Sequence, residues 1–198
     1  MNYREAWNKY YSVNHWYQSG KNTTWSFDKD EETSTFYLFF QGSYEKIDWI
    51  RDCFAWPKYY GRQDKRIFIH YGFYRMIKDL YNDNNFINTL YEQNYNNFVI
   101  IGYSSGGAIA LLMEYLENLY FDSVEVFTFG APKVFWLNKY KPLNMIQTKI
   151  TNVKIDKDLI PRLPPFYRKN YGDEVILKSN CNSPIKNHLP SMYDSAIK

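Results

Sequence analysis

A serine lies in a short glycine-rich segment whose residue types suit nucleophilic chemistry. The apolar run at residues 98–101 is followed by Gly-Tyr-Ser-Ser-Gly at 102–106, which has the spacing G-x-S-x-G. We predict a strand, a sharp turn and a helix there, because the glycines let strand and helix approach closely. Such a turn projects a serine hydroxyl above the sheet edge, beside the first N–H groups of the helix, which can stabilise an oxyanion. Ser104 is therefore a candidate nucleophile.

A serine hydroxyl becomes an effective nucleophile when a base accepts its proton, and a histidine base needs an acid that orients it. The sequence contains three histidines, His15, His70 and His188. Hydrolases with this kind of nucleophile turn have the chain order serine, acid, histidine, and only His188 follows Ser104. His188, in the polar segment 182–190, is therefore the candidate base.

The candidate acid follows an apolar stretch, in Ile-Asp-Lys-Asp-Leu-Ile-Pro at residues 155–161. We prefer Asp158, which lies three residues before Pro161 in a turn-prone sequence. Asp156 is an alternative, although it has lysine neighbours and can simply be solvated. Three more distant carboxylates also stay open as the acid: Asp173, Glu174 and Asp194.

Predicted helices and strands alternate along the chain. Strands are predicted at residues 36–40, 98–101, 124–129 and 149–153, with a turn at 28–35. Helices are predicted at residues 4–18, burying Trp7, Tyr10, Tyr11 and His15, at 71–90 with a break at 81–85, and directly after Ser104. This alternation indicates an α/β fold, a largely parallel sheet covered by helices on both faces, with ligands bound at the carboxyl ends of strands. The 198 residues are expected to form a single domain.

Composition excludes several classes of function. The net charge is only +3 and the charged residues are scattered, so no nucleic-acid partner is indicated. The N-terminal segment lacks the apolar core of a secretory signal, and no stretch approaches the roughly 20 apolar residues of a membrane span. We therefore expect a soluble, intracellular protein. The sequence does not indicate an oligomeric state.

The cysteines and aromatic residues suit packing better than metal binding. Cys53 and Cys181 lack metal-ligand spacing, so we expect two buried thiols and neither a metal nor another cofactor. Aromatic residues make up 20% of the chain, including 20 tyrosines. Core filling accounts for most of them, and an apolar surface for a greasy ligand is the alternative.

Six motifs in chain order resemble the class 3, or fungal-type, lipase family of the α/β-hydrolase fold. They are Phe-Gln-Gly-Ser at 40–43 with Asp-Trp at 48–49, Ile-His-Tyr-Gly-Phe-Tyr at 69–74, Gly-Tyr-Ser-Ser-Gly-Gly-Ala at 102–108, Thr-Phe-Gly-Ala-Pro-Lys-Val at 128–134, Asp-Leu-Ile-Pro-Arg-Leu-Pro-Pro at 158–165 and Asn-His-Leu at 187–189. The chain departs from the family pattern at three positions: Gln41 replaces arginine, Tyr103 replaces histidine and Ser105 replaces leucine. None of these changes removes a candidate catalytic group.

The resemblance implies a role for each motif residue. Ser104 is implied to be the nucleophile, Asp158 the orienting acid and His188 the base. The oxyanion donors are implied to be the backbone N–H of Ser105 and the N–H or hydroxyl of Ser43. No cofactor is required by this chemistry.

A further part of the resemblance concerns the segment between the oxyanion strand and His70. His70 itself is implied to be structural. Residues 53–62 are implied to form a lid over the acyl pocket, and their aromatic side chains suit either a lipid-facing flap or simple packing. The aromatic residues of this candidate lid are Phe54, Trp56, Tyr59 and Tyr60.

The activity implied by the resemblance is hydrolysis of carboxylic esters through an acyl-enzyme. The expected substrates are lipids, namely a triacylglycerol, a monoacylglycerol or a phospholipid, or a small ester, with transient contact to a lipid interface. The alternative is a protein of the same fold that binds a lipid or a partner without turnover. Acyl transfer to an alcohol and thioester chemistry are further options. The short chain and the lack of an export signal argue against a digestive lipase, and an intracellular or virus-encoded esterase and a phospholipid-acting enzyme are equally open.

Overall fold

The structure is a computed structural model that describes residues 1–42, 57–62, 65–92, 94–116, 121–136 and 148–198. The helices in these ranges are α1 (Tyr3–Tyr11), α2 (Tyr71–Tyr81), α3 (Asn84–Tyr91), α4 (Ser105–Leu116) and α5 (Pro190–Ile197). The strands are β1 (Tyr17–Ser19), β2 (Thr23–Asp30), β3 (Thr35–Phe40), β4 (Pro57–Arg62), β5 (Lys65–His70), β6 (Asn97–Tyr103), β7 (Ser123–Phe129), β8 (Thr148–Ile155) and β9 (Asp173–Leu177). Short 3-10 turns lie at Ile160–Arg162 and Lys186–His188.

Seven of the described strands form one sheet in the order β1-β2-β3-β6-β7-β8-β9. Neighbouring strands pair in parallel from β3 through β6, β7 and β8 to β9. Strands β1 and β2 add an antiparallel edge. In the centre, Gly102 of β6 pairs with Phe40 of β3, and Tyr103 pairs with Phe129 of β7. The turn after β6 therefore lies at the carboxyl edge of the sheet, between its two central neighbours.

Strands β3 and β6 are almost entirely apolar because helices cover both faces of the sheet. In β3, Phe36, Leu38 and Phe40 join one buried cluster, with side chains of α2, α3 and α4. Tyr37 and Phe39 point to the opposite face and join a second cluster, with side chains of α1 and α5. The predicted fold, a central and mostly parallel sheet flanked by helices, is confirmed.

The first predicted helix is too long. A capping box between Asn2 and Glu5 starts α1, as the side chain of Asn2 accepts hydrogen bonds from backbone N–H groups of the first turn. The helix ends at Tyr11, because Tyr17 pairs with Trp25 across the sheet edge and this pairing overrides local helical spacing. Trp7 and Tyr10 are buried as predicted, but Tyr11 is 60% exposed and His15 is exposed as well.

The predicted turn at 28–35 is also too long. Strand β2 continues to Asp30, because its register against β3 pairs Asp28 with Tyr37 and Asp30 with Thr35. The turn is confined to residues 31–34. Edge pairing of polar residues is not visible as apolar alternation in the sequence.

The other predicted elements are confirmed, with small shifts at their ends. The helical region at 71–90 is divided as predicted, since Asp83 caps α3 by accepting hydrogen bonds from Asn85 N–H and Phe86 N–H. Prediction missed β9, which extends the parallel sheet beside β8. It also missed the antiparallel hairpin β4–β5, whose first strand occupies part of the candidate lid.

Two further expectations concern cysteines and membrane spans. Cys181 is half-buried, so the prediction of a buried thiol is wrong for this residue, whereas Cys53 lies outside the described residues. Among the helices that the structure describes, none is long and apolar enough to cross a membrane.

Candidate active site

Ser104 occupies the turn between β6 and α4 in a left-handed conformation, with φ of 55°. This conformation costs a residue with a side chain of the order of 1–3 kcal/mol. Backbone hydrogen bonds hold it in place, because Ser104 N–H donates to the carbonyl oxygen of Phe129 at 2.8 Å and its own carbonyl accepts from Gly107 N–H at 2.9 Å. The strained turn fixes the serine at the carboxyl edge of the sheet.

The two glycines of the motif allow the chain to cross itself at this turn. A Cβ atom on Gly102 would lie 2.2 Å from the carbonyl oxygen of Gly106. A Cβ atom on Gly106 would lie 2.1 Å from the carbonyl oxygen of Phe40. Because these neighbours are backbone atoms that cannot rotate away, only glycine fits at either position.

His188 meets the serine although the two residues are far apart in sequence. His188 Nε2 lies 2.7 Å from Ser104 Oγ, across a sequence separation of 84 residues. The histidine ends the 3-10 turn at Lys186–His188, where His188 N–H donates to the carbonyl oxygen of Ile185 at 3.1 Å. The distance is that of a good hydrogen bond, so the serine can donate its proton to the ring.

Asn187 holds the loop that carries this histidine. Its fully buried side chain donates through Nδ2 to the carbonyl oxygens of Cys181 and Ser183, both at 2.9 Å. Its backbone N–H donates to Ser183 as well, at 3.0 Å. The loop is therefore fixed internally by one amide side chain.

Asp158 is the carboxylate that faces the histidine. Its Oδ2 lies 2.8 Å from His188 Nδ1, and the residue is only 1% exposed. Ile160 N–H donates to the other oxygen, Oδ1, at 2.9 Å. Because an ionised carboxylate only accepts hydrogen bonds, this contact favours the tautomer with a proton on Nδ1 and leaves Nε2 as the acceptor for the serine.

The alternative acids have other partners or lie on the surface. Asp156 lies 3.5 Å from Lys178, Glu174 lies 2.6 Å from Lys154, and Asp194 lies 2.7 Å from Lys198. Asp173 is exposed. The structure thus brings Asp158, rather than any of these, to His188.

Tyr193 of α5 also contacts the carboxylate, and sequence reasoning missed it. Its hydroxyl donates to Asp158 Oδ2 at 2.7 Å and accepts a hydrogen bond from Ile155 N–H at 3.3 Å. Burial raises the pKa of Tyr193 well above 10.0, and the negative charge of Asp158 raises the same pKa further. The hydroxyl therefore remains a donor to Asp158 at neutral pH. The only sequence signal was the apolar spacing of Tyr193 and Ile197, which indicates burial but not this contact.

The oxyanion donors are only partly described. Ser105 is buried and begins α4, so its N–H belongs to the first turn of the helix, where the backbone dipole favours negative charge. Ser43 lies outside the described residues. The residue before it, Gly42, approaches the nucleophile so closely that a Cβ atom there would lie 2.9 Å from Ser104 Cβ.

The candidate lid is likewise described in part. Phe54 and Trp56 lie outside the described residues. Tyr59 and Tyr60 belong to β4 of the hairpin, so this part of the segment is a strand rather than a loop. Tyr59 is 48% exposed, and its ring contacts the exposed ring of Phe68 edge-on, with centroids 5.6 Å apart.

His70 caps a helix. Its Nδ1 accepts a hydrogen bond from Gly72 N–H at 3.1 Å, at the start of α2. Its buried ring packs between Phe73 and Tyr167, at centroid distances of 4.8 and 5.9 Å. These contacts fit the structural role that the resemblance implied.

Comparison with known proteins identifies the family of the chain. A family model described as "Lipase (class 3)" matches residues 37–168, so the chain belongs to the class 3 lipase family. No curated protein sequence matches the chain.

Solved structures of fungal lipases share the fold. A Rhizomucor miehei triacylglyceride lipase has a TM-score of 0.69 at 22% identity, covering 85% of this chain and 71% of that chain. Lipase II from Rhizopus niveus has a TM-score of 0.66 at 23% identity, covering 82% and 66%. A triacylglycerol lipase whose catalytic centre is a serine protease triad has a TM-score of 0.64 at 24% identity, covering 80% and 63%. The chain spans only 63% and 61% of two Rhizomucor miehei lipases solved as propeptide complexes.

Proposed function

We propose that the protein hydrolyses carboxylic esters of lipids, with Ser104 as nucleophile, His188 as general base and Asp158 as the acid that orients the base. The observation that carries this proposal is the continuous row of contacts from Ser104 Oγ to His188 Nε2 at 2.7 Å and from His188 Nδ1 to Asp158 Oδ2 at 2.8 Å. A serine, a histidine and a buried carboxylate in this order are the groups that acyl transfer requires.

The first half of the reaction forms an acyl-enzyme. Ser104 Oγ attacks the ester carbonyl carbon while His188 Nε2 accepts the hydroxyl proton, and the buried charge of Asp158 stabilises the imidazolium. The backbone N–H of Ser105 and a donor of Ser43 stabilise the negative oxygen of the tetrahedral intermediate. His188 then gives its proton to the leaving alcohol as the carbon–oxygen bond breaks.

The second half releases the acid and restores the enzyme. His188 accepts a proton from a water molecule, whose oxygen attacks the acyl carbonyl carbon of the ester on Ser104. Collapse of the second tetrahedral intermediate breaks the bond to Ser104 Oγ, which takes the proton back from His188. All groups return to their starting protonation states, so no cofactor is consumed.

Replacement of the nucleophile tests this function. We expect Ser104→Ala to lower ester turnover by about 10⁴ to 10⁶-fold, since removal of a triad nucleophile has this effect in serine hydrolases. Ser195→Ala is a matched control, because Ser195 is an exposed residue of α5 that bonds only its own helix in the described contacts. Equal rates for wild type and Ser104→Ala on short-chain p-nitrophenyl esters would contradict the proposal.

A covalent probe separates hydrolysis from binding without turnover. A fluorophosphonate should label Ser104, because the activated hydroxyl attacks phosphorus and expels fluoride, whereas an unactivated serine does not react. Lipid binding without labelling would favour the binding protein. A panel of triacylglycerols, monoacylglycerols and phospholipids of different chain length then identifies the preferred ester.

Contact with a lipid interface is part of the same proposal, and exposed aromatic rings of the hairpin support it. Tyr59 and Phe68 are 48% and 40% exposed on neighbouring strands, an arrangement typical of a surface that meets apolar groups. We expect Tyr59→Ser with Phe68→Ser to reduce co-sedimentation with phosphatidylcholine vesicles while hydrolysis of water-soluble esters persists. Tyr11→Ser, at an exposed tyrosine of α1, is the control. Unchanged sedimentation of the double variant would exclude the hairpin as the contact.

A further inference from the structure

Tyr103, the residue directly before the nucleophile, makes two kinds of contact with the base. Its hydroxyl donates a hydrogen bond to the backbone carbonyl oxygen of His188. Its ring also stacks on the His188 imidazole, with centroids 5.4 Å apart and ring planes 19° apart. One side chain thus contacts both the backbone and the ring of His188, and it is covalently adjacent to Ser104.

Rings from two separate helices hold Tyr103 in this position. Trp7 and Tyr10 of α1 contact its ring, at centroid distances of 6.0 and 6.4 Å. Tyr193 of α5 contacts it edge-on at 5.9 Å. Tyr103 is therefore packed in a buried aromatic cluster, and its position at the end of β6 leaves it little freedom to turn.

The hydroxyl of Tyr103 is a dependable donor in this environment. Burial raises its pKa well above the ordinary 10.0, and the charge of Asp158 and the neighbouring Tyr10 raise it further. The group is therefore protonated at neutral pH. Because the carbonyl oxygen of His188 can only accept, the direction of the hydrogen bond is fixed.

The hydrogen bond from Tyr103 to His188 joins two parts of the chain that are held in place by different contacts. Ser104 is fixed by β6, β7 and α4, whereas His188 belongs to the loop that Asn187 holds internally. Tyr103 ties that loop to the nucleophile strand across a separation of 85 residues. The distance between the serine hydroxyl and the imidazole thus depends on this link, and misplacement of a reacting group by about 1 Å can cost 10²-fold in rate.

We infer that Tyr103 is a positioning residue for the general base, holding the backbone and ring of His188 at the distance from Ser104 that proton transfer requires. The inference deepens the proposed function and rests on it. It also gives a role to a position where the sequence departs from the family pattern, since a tyrosine carries its hydroxyl farther from the backbone than an imidazole reaches.

Graded substitutions test the inference. Tyr103→Phe keeps the ring stack and removes the hydroxyl, so we expect kcat to fall by about 3–10-fold, the usual effect of one hydrogen bond, with KM nearly unchanged. Tyr103→Leu removes both contacts, and we expect a loss of about 10–100-fold. Tyr37→Phe is the matched control, because Tyr37 is a buried tyrosine of the same cluster in β3 and should keep the wild-type kcat. Equal kcat in wild type and Tyr103→Phe, or the same loss in Tyr37→Phe, would overturn the inference.

A double-mutant cycle distinguishes positioning from a general structural effect. If Tyr103 acts through the base, Tyr103→Phe should change the residual rate of His188→Ala by about twofold or less, because the interacting partner is already gone. The residual rate is measured with an activated p-nitrophenyl ester. A loss as large as in the wild-type background would show that Tyr103 acts elsewhere and would overturn the inference.

A third measurement does not require turnover. The NMR resonance of the His188 Nδ1 proton, which lies in the contact to Asp158, should lose intensity in Tyr103→Phe because a less fixed ring exchanges this proton faster with water. The resonance should be unchanged in Tyr37→Phe. An identical resonance in wild type and Tyr103→Phe would overturn the inference, even if Ser104 proved inactive. Loss of the resonance with no Ser104-dependent activity would instead refute the proposed function alone.

Discussion

The hydroxyl of Tyr193 and the imidazole of His188 bind the same carboxylate oxygen of Asp158, at 2.7 and 2.8 Å. The buried carboxylate therefore receives donors from α5, from the 3-10 turn that carries the base and, through Ile160 N–H, from its own loop. A buried charge needs such partners, because burial without hydrogen bonds is costly. Tyr193 therefore stabilises the buried carboxylate of Asp158 beside His188.

Removal of this hydroxyl should weaken both stability and activity. We expect Tyr193→Phe to lower the free energy of unfolding by about 1.5–3 kcal/mol, since hydrogen bonds to charged groups contribute this much. Urea unfolding measures the change, with Tyr37→Phe as the control for loss of a buried tyrosine hydroxyl. If Tyr193→Phe and wild type unfold at the same urea concentration, the contact does not stabilise the folded state.

Asp158 and Asp156 lie in one loop, so the activities of their asparagine variants can be compared directly. We expect Asp158→Asn to lower kcat by about 10⁴-fold, because an amide in this position favours the wrong tautomer of the base. Asp156→Asn should keep nearly full activity, because Asp156 faces Lys178 at 3.5 Å rather than the base. Steady-state rates of both variants on one ester measure this, and the reverse order would reassign the acid.

The left-handed backbone of Ser104 predicts a stability difference between two inactive variants. Glycine adopts this conformation freely, whereas alanine is strained in it. Glycine also loses more conformational entropy on folding, which offsets part of this advantage. We therefore expect Ser104→Gly to be more stable than Ser104→Ala by about 0.5–1 kcal/mol. At Ser195, inside α5, the order should be the opposite, because alanine favours a helix by about 1 kcal/mol over glycine. Thermal unfolding of the four variants gives the comparison. The same order at both positions would contradict the strain described for Ser104.

The raised pKa values of Tyr103 and Tyr193 predict that the folded protein loses stability at alkaline pH. The pKa of Tyr103 and that of Tyr193 are raised in the folded state by burial and by the charge of Asp158, so the folded protein keeps these protons while the unfolded chain loses them near pH 10.0. The unfolded state then binds fewer protons, and stability falls as pH rises above 10.0. Below that pH the contribution is fully present. Urea unfolding from pH 8 to 11 should show a shallower decline in Tyr193→Phe; an equal decline would exclude Tyr193 as a source.

The nucleophile turn could be predicted from sequence because its causes are local. An apolar strand, two glycines and an apolar helix occur within 20 residues, and each has a direct backbone consequence in the structure. The roles of His188 and Asp158 could be predicted from chain order and motif resemblance. Neither kind of evidence says how far these side chains lie from each other or from Ser104. The contacts from Ser104 to His188 and from His188 to Asp158 form only in the folded sheet, where β6 and β8 lie on opposite sides of β7.

Other features depend on tertiary contacts that leave no local pattern. The contact of Tyr193 with Asp158 spans 35 residues, and no local sequence pattern joins the two residues. The end of α1 was misjudged because pairing of β1 with β2, rather than helical spacing, decides the structure of residues 17–19. Residue Ile69 of β5 also forms a bridge with Phe135, far along the chain, and this contact leaves no local pattern.

Trp7 connects the amino-terminal helix to side chains that contact the proposed acid and base. Its ring contacts Phe129 at 4.8 Å, Tyr193 at 5.8 Å and Tyr103 at 6.0 Å, and those tyrosines in turn hold Asp158 and His188. Undocking of the first dozen residues would therefore remove packing from Tyr193 and Tyr103 together, and so from the contacts to Asp158 and His188. Heat or a protease that detaches this helix should abolish the proposed hydrolysis before the central sheet unfolds.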